Sequence, residues 1–268
     1  MSRSSAPTLR DLRIEGRLIP FVGAGLSRPL GLPSWDLLVD NIAVQLGYDP
    51  EIYRLNGSKL QLAEYFVAEK GSIGPLRSEM DRLFNPTDEA VLASTPHRLL
   101  VELKFPLIYT TNYDRIIERA FDLRGVPCHT IANIDDLGTA PPNVTHVVKF
   151  HGSFSDDASL VLTESNYFDR LDFESALDLK LRADTLGRSL LFVGHGLGDI
   201  NIRYLLYKLH KLRGRMTTGQ TRLPSAYLTA FGAGDVQQTL LARWDVEIIE
   251  LDPLDKTKSI EAFLESLR

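Results

Sequence analysis

A single cysteine, Cys128, stands in 268 residues. That excludes an internal disulfide and any zinc site built on several thiolates. Nowhere does the chain run through about 18 consecutive apolar residues, so no segment reads as a membrane-spanning helix. The opening Met1-Ser-Arg-Ser-Ser-Ala-Pro7 has no apolar stretch of the kind a secretion signal needs. A basic excess is missing too: 30 Lys and Arg face 35 Asp and Glu, for a net charge of −5. A surface that tracks nucleic-acid phosphates needs the opposite balance, or at least a basic stripe. Repeats and low-complexity tracts are absent. What is present, 44% hydrophobic and 24% charged residues, is the composition of an ordinary globular chain. It is too apolar and too weakly charged for disorder, and long enough for one core with a smaller satellite. The expectation is a cytoplasmic α/β protein, an enzyme or a binding module, with no membrane span and no direct hold on nucleic acid.

Short apolar runs alternate with helical spacing along the chain. Strands are expected at 18–22, 105–109, 144–150, 189–193, 225–230 and 245–251. Ser34 suits the N-cap of an amphipathic helix over 35–46, which Gly47 would end. From 59 to about 103 only helical spacing occurs, roughly three helices, broken at Gly71-Ser-Ile-Gly74 and Asn85-Pro86. Strands that alternate with helices pair in parallel through right-handed crossovers. The expected fold is therefore α/β, a Rossmann-like, doubly wound, mostly parallel six-stranded sheet. The block 48–103 is too long for one crossover and predicts an inserted helical subdomain. Nothing marks a linker, so 1–268 reads as one unit.

Four unusual segments each follow a strand, and in an open α/β sheet the carboxyl ends of the strands form the ligand crevice. Gly23-Ala-Gly25 with Ser27 allows close approach of backbone N–H groups to a diphosphate, although a tight structural turn explains the glycines equally well. Arg28 stands where a dinucleotide fingerprint would have its third glycine, and the acidic residue some 20 positions on is missing, which disfavours an ordinary dehydrogenase. In Thr110-Thr-Asn-Tyr-Asp114, Asn112 carries an amide able to hold a sugar hydroxyl or a water; Asp114 alternatively is only a helix cap. His151, with Gly152 beside it, suits a general base or is a satisfied structural histidine. Among the other histidines (97, 129, 146, 195, 210), His195 is the serious rival, since it too ends a strand. Its segment, Gly194-His-Gly-Leu-Gly-Asp199, keeps a loop low against a ligand, and Asp199 either caps the next helix or holds a ribose hydroxyl.

Together these segments carry a resemblance. Phe21-Val-Gly-Ala-Gly-Leu-Ser27, followed by Gly31-Leu-Pro-Ser-Trp35, resembles the first nucleotide-binding loop of the sirtuins. Thr110-Thr-Asn112-Tyr-Asp114 resembles the sirtuin Thr-Gln-Asn-x-Asp motif with threonine for glutamine, and Lys149-Phe-His151-Gly152 the segment of the catalytic histidine. Phe192-Val-Gly194 through Asp199-Ile-Asn-Ile202 is similar to the late glycine loop of the bacterial sirtuin-like (SIR2-like) antiphage effectors, the Thoeris NADase among them. Order and spacing agree from about 18 to 252. The four-cysteine zinc ribbon of the deacylating sirtuins is absent, which disfavours lysine deacylation and places the peptide cleft in doubt. Among the effectors the residue at His195 is usually aromatic; a histidine there alters adenine stacking or is incidental.

The resemblance implies NAD+ as substrate and no metal. It implies catalytic roles for Asn112, His151 and Asp114. The dinucleotide would be bound by Gly23, Ala24, Gly25, Ser27, Trp35, Thr111, Gly152, Gly194, His195, Gly196 and Asp199. Cleavage of the nicotinamide–ribose bond would release nicotinamide and ADP-ribose and deplete NAD+ in antiphage defence by abortive infection. Such an enzyme must be held off, and with the chain ending one helix past its last strand, the trigger is expected from homo-oligomer assembly or a separate chain: a ring ATPase, an Argonaute-like protein or a sensor subunit. The helical block is the expected contact surface, or simply a lid. The alternatives are a silent NAD- or ADP-ribose-binding subunit of a defence complex and an ADP-ribosyltransferase using the same crevice.

Overall fold

Leu18–Val22 (β1) is apolar and buried from end to end, as a strand flanked on both edges and covered on both faces must be. It lies at the centre of the sheet in a computed structural model that describes residues 7–196, 200–213 and 223–268. The other strands are Leu107–Thr110 (β2), Cys128–Ile131 (β3), Thr145–Lys149 (β4), Ser189–Val193 (β5), Ala226–Ala230 (β6) and Val246–Glu250 (β7). Their order is β3-β4-β2-β1-β5-β6-β7, and every pairing is parallel. The chain winds from β1 to one side as far as β4, then crosses to the other. This is the expected doubly wound, Rossmann-like α/β fold.

The sheet has seven strands, not six. The additional strand, β3, is the sequence Cys-His-Thr-Ile at an edge, half-buried for three of its four positions and paired only with β4. It has neither a continuous apolar run nor a clean alternation, so its residues carry no signal; its partner makes it a strand. Pro20 sits inside the central strand, where a missing N–H would ordinarily break a ladder. The register shows why it is tolerated: pairing toward β2 begins only at Phe21.

Alternate residues of each strand feed opposite faces. Leu18, Val22, Ile108, Val147, Leu191 and Val193 pack with residues of the helices Thr95–Glu102, Ile116–Asp122 and Lys256–Ser266. Ile19, Phe21, Tyr109, Val148, Phe150, Leu190 and Phe192 pack against the helices Ala176–Asp184 and Ile200–Arg213. The helix Trp35–Leu46 begins at Ser34, whose hydroxyl accepts from Leu37 N at 3.3 Å, and ends at Gly47 with φ +80°. Four helices lie between 59 and 102: Lys59–Lys70, Gly74–Leu83, Asp88–Ala93 and Thr95–Glu102. A separate apolar cluster joins Leu38, Ile42, Phe66, Leu76 and Met80 to Tyr113, Phe154 and Leu162. The helices between 35 and 83 thus stand on the loops at the carboxyl ends of β2 and β4. Val91, Leu99 and Leu100 belong instead to the cluster on the sheet. Among the described residues no helix is long and apolar enough to cross a membrane.

Candidate active site

Parallel register turns sequence spacing into geometry. Lys149 pairs with Thr110, Thr110 with Val22, and Val22 with Val193, so one row of residues crosses β4, β2, β1 and β5 at their carboxyl ends. His151, Asn112 and His195 each stand two positions past that row. Strands far apart in the chain thereby deliver an imidazole, an amide and a second imidazole to one edge. The edge spans β1 and β5, from which the connections depart in opposite directions, the place where doubly wound folds open a crevice.

The glycines at this edge serve loop against loop. Gly23 N donates to Val193 O and Gly25 N to Gly194 O, each at 2.9 Å. A Cβ on Gly23 would lie 2.7 Å from both Gly194 O and His195 Nδ1, and one on Gly25 2.7 Å from Gly194 O. Gly194 itself has φ +78°, and a Cβ there would meet Leu26 N at 2.6 Å. The space these missing side chains leave is therefore taken by neighbouring backbone and by His195. Ala24 opens the first of two 3₁₀ turns that follow β1, Ala24–Leu26 and Arg28–Leu30.

Beneath the edge runs an aromatic ladder. Phe21 stacks on Phe192 (centroids 4.8 Å) and Tyr109 (5.7 Å) and meets Phe150 edge-on at 5.5 Å. The two imidazoles rest on it: His195 lies 5.6 Å from Phe21, and His151 is 5.9 Å from Phe150. This apolar floor sets their titration. Desolvation first, then the charges of Arg170 and His195, pull His151 down to about 3. Desolvation takes His195 to about 4 against the opposing carbonyls of Phe21 and Val22. Both rings are neutral at pH 7. Arg170 is itself held in place, its guanidinium 4.3 Å over the Phe150 ring and 2.8 Å from the Asp178 carboxylate.

Asn112 is 5% exposed, and neither its amide nitrogen nor its oxygen has a hydrogen-bond partner. Its backbone is fastened: Asn112 N donates to Thr110 Oγ1 at 3.0 Å, which donates to Val22 O at 2.9 Å, and Thr111 N reaches the same carbonyl at 3.1 Å. A buried side chain with two unsatisfied polar atoms on a rigid loop is an open valence at the crevice, because buried polar groups ordinarily find partners. His195 Nε2 is likewise buried and unpartnered. Gly152, with φ +85°, turns the chain directly behind His151; a Cβ there would be 2.2 Å from Ser159 O.

Asp114 is buried one residue before the N-cap of the following helix, its Oδ1 accepting at 3.1 Å from Ile116 N, the first helical N–H. Burial pushes its carboxyl up, against the nearby charge of Lys149. Lys149 carries one sequence signal, a lysine closing an apolar strand. Ser27 is turned away from the edge, its hydroxyl 3.2 Å from Nε2 of fully buried His97, whose Nδ1 meets Ser94 Oγ at 2.7 Å. Trp35 packs at the rim of the helical cluster, Gly196 is exposed, and Thr111 is partly buried. Asp199 lies outside the described residues. Arg170 and Tyr167, whose ring meets His151 edge-on at 5.5 Å, carry no sequence signal: both sit on an amphipathic helix, and only packing aims them at the histidine. Among the described residues no cluster of three or more His, Cys, Asp or Glu is placed to hold a metal ion.

The class these features define is a doubly wound α/β protein whose strand ends gather an unpaired amide and two neutral imidazoles over an aromatic floor. The sequence matches the SIR2-like domain over residues 106–249, more than half of the chain, and the chain belongs to that family. It is 31% identical over 195 residues to the NAD(+) hydrolase ThsA of Enterococcus faecium, covering 72% of this chain and 40% of that protein. The ThsA of Cytobacillus dafuensis is 29% identical over 73% of this chain and 38% of its own length. Defense-associated sirtuin 2 of Bacillus subtilis is 28% identical over 74% of this chain and 20% of its own. The chain thus spans about two fifths or less of the length of these relatives.

Proposed function

We propose that the chain is an NAD+-hydrolysing domain that cleaves the nicotinamide–ribose bond. The observation that carries this reading is the unpaired amide of Asn112 past the end of β2, next to β4 whose end leads into His151, on the carboxyl edge of the sheet, in a chain related to proteins named NAD(+) hydrolases. The C1′–N bond breaks with its electron pair going to the pyridinium nitrogen, so nicotinamide leaves neutral and positive charge develops at C1′. Asn112 orients the ribose hydroxyls or the attacking water through its free donor and acceptor. The water oxygen bonds to C1′, and its proton passes to His151, neutral and thus able to accept, and from there to solvent. The products are ADP-ribose and nicotinamide. Asp114 fixes the loop around Asn112, while His195, tilted against Phe21 and edge-on to Phe192, faces the dinucleotide from the end of β5.

Because Asn112 is covered, the crevice must open to admit a dinucleotide. A closed resting edge suits an enzyme held off until triggered, by assembly of copies or by a separate activating chain, and then set to deplete NAD+ in the cytoplasm during antiphage defence. Nicotinamide release from the purified protein, alone and with candidate activators, tests the reading. Asn112→Ala and His151→Ala each lower turnover by about 100-fold or more, and unchanged turnover in both would refute the site. The covered amide also suits a silent NAD- or ADP-ribose-binding subunit, which would bind nucleotide and release no product in any assembly state. Transfer to protein, a further use of this crevice, would appear as label from NAD+ retained on a polypeptide.

A further inference from the structure

Lys149 is fully buried at the last position of β4. Its Nζ lies 3.2 Å from Oε1 of Glu118, itself buried on the helix Ile116–Asp122, and donates to the backbone carbonyl of Asp114. An ammonium is costly to bury, and the carboxyl groups of Glu118 and Asp114, both near enough to act on it, offset only part of that cost. The contact with Asp114 O gives the arrangement its purpose. The loop 110–114 is held at its start by Thr110 on the Val22 carbonyl and in its middle by Tyr113, whose hydroxyl donates to Val161 O at 2.8 Å. It is held at its end by Lys149. Between these fastenings only the amide of Asn112 is left unsatisfied. His151 stands two residues past the strand that ends at Lys149, so one side chain ties the segment leading to the imidazole to the loop bearing the amide.

We infer that Lys149 is a positioning residue, clamping the Asn112 loop to the strand end of His151 so that amide and imidazole keep a fixed separation. The inference rests on the NAD+-hydrolase reading for its catalytic consequence, though not for its structural one. Lys149→Met alone would strand the Glu118 carboxylate in the interior, so the test uses the pair Lys149→Met with Glu118→Gln, which removes both charges together. The double variant is expected to fold cooperatively and to show kcat for nicotinamide release lowered about tenfold or more, with KM within about threefold. Its crystal structure is expected to show 110–114 displaced from β4. Parental kcat in a folded double variant, or an undisplaced loop, overturns the proposal. So does failure of the double variant to fold, which would make Lys149 a folding determinant. If the parent releases no nicotinamide in any assembly state, the hydrolase reading falls, and the crystal structure alone decides the clamp.

Discussion

At Asn112 two buried polar atoms lack partners, and each such atom costs about 1–3 kcal/mol when no ligand satisfies it. Asn112→Ala removes that cost, so the variant is expected to resist urea at least as well as the parent while losing nicotinamide release; a clear fall in the unfolding midpoint would show instead that the amide is structurally engaged. His151 makes a second prediction. Its ordinary pKa is near 6.5, and burial with Arg170 takes it to about 3. The neutral, proton-accepting form therefore persists throughout neutral and mildly acidic pH. The acid limb of kcat/KM is expected below pH 5, and a limb centred near 6.5 would contradict the environment described here. Lysine at 149 and arginine at 170 work behind these two groups, and neither contributes a hydrogen bond to the crevice itself.

The turns after β1 and β5 are locked to each other by backbone proximity rather than by side chains. The turn after β1 and the turn after β5 meet at Gly23, Gly25 and Gly194, where no Cβ fits. Gly194→Ala would strain a left-handed residue by roughly 1 kcal/mol or more and drive a methyl group against Leu26 N. The expected outcome is a lower melting temperature together with loss of NAD+ binding in calorimetry, since the two loops would part. Gly152→Ala does the same at β4, where the methyl group would meet the Ser159 carbonyl. The helices between 35 and 83 cap this edge through Tyr113, Phe154 and Leu162, so they are also the element best placed to move when the crevice opens.

For the whole molecule, buried His97 and half-buried His151 and His195 set the response to acid. His97 and His195 are lowered to about 4 and His151 to about 3, against about 6.5 in the unfolded chain. Below pH 6.5 the unfolded state takes up protons that the folded state refuses, so stability present at neutral pH is lost as pH falls from 6.5 toward 4. Asp114, pushed up by burial, works in the opposite direction, one group against three. The urea midpoint is therefore expected to drop between pH 7.5 and 5; a flat profile would mean that the imidazoles are reached by water. Replacing His97 by Ala would leave Ser27 and Ser94 without their shared partner.

Apolar runs closed by glycine, and their alternation with helical spacing, by themselves determined a doubly wound sheet and the four segments that end its strands, because burial on both faces demands continuous apolar strands and the crevice of such a sheet lies at their carboxyl ends. Asn112, His151 and His195 were legible for that reason. Strand β3, whose four residues follow no pattern, acquires its conformation only from pairing with β4. Tertiary structure alone decided that Ser27 turns to His97, that the glycines face one another, that Arg170 and Tyr167 flank His151, and that Lys149 reaches the Asp114 carbonyl. Each of these is a contact between residues distant in the chain, and only the folded register, not local spacing, brings such groups together.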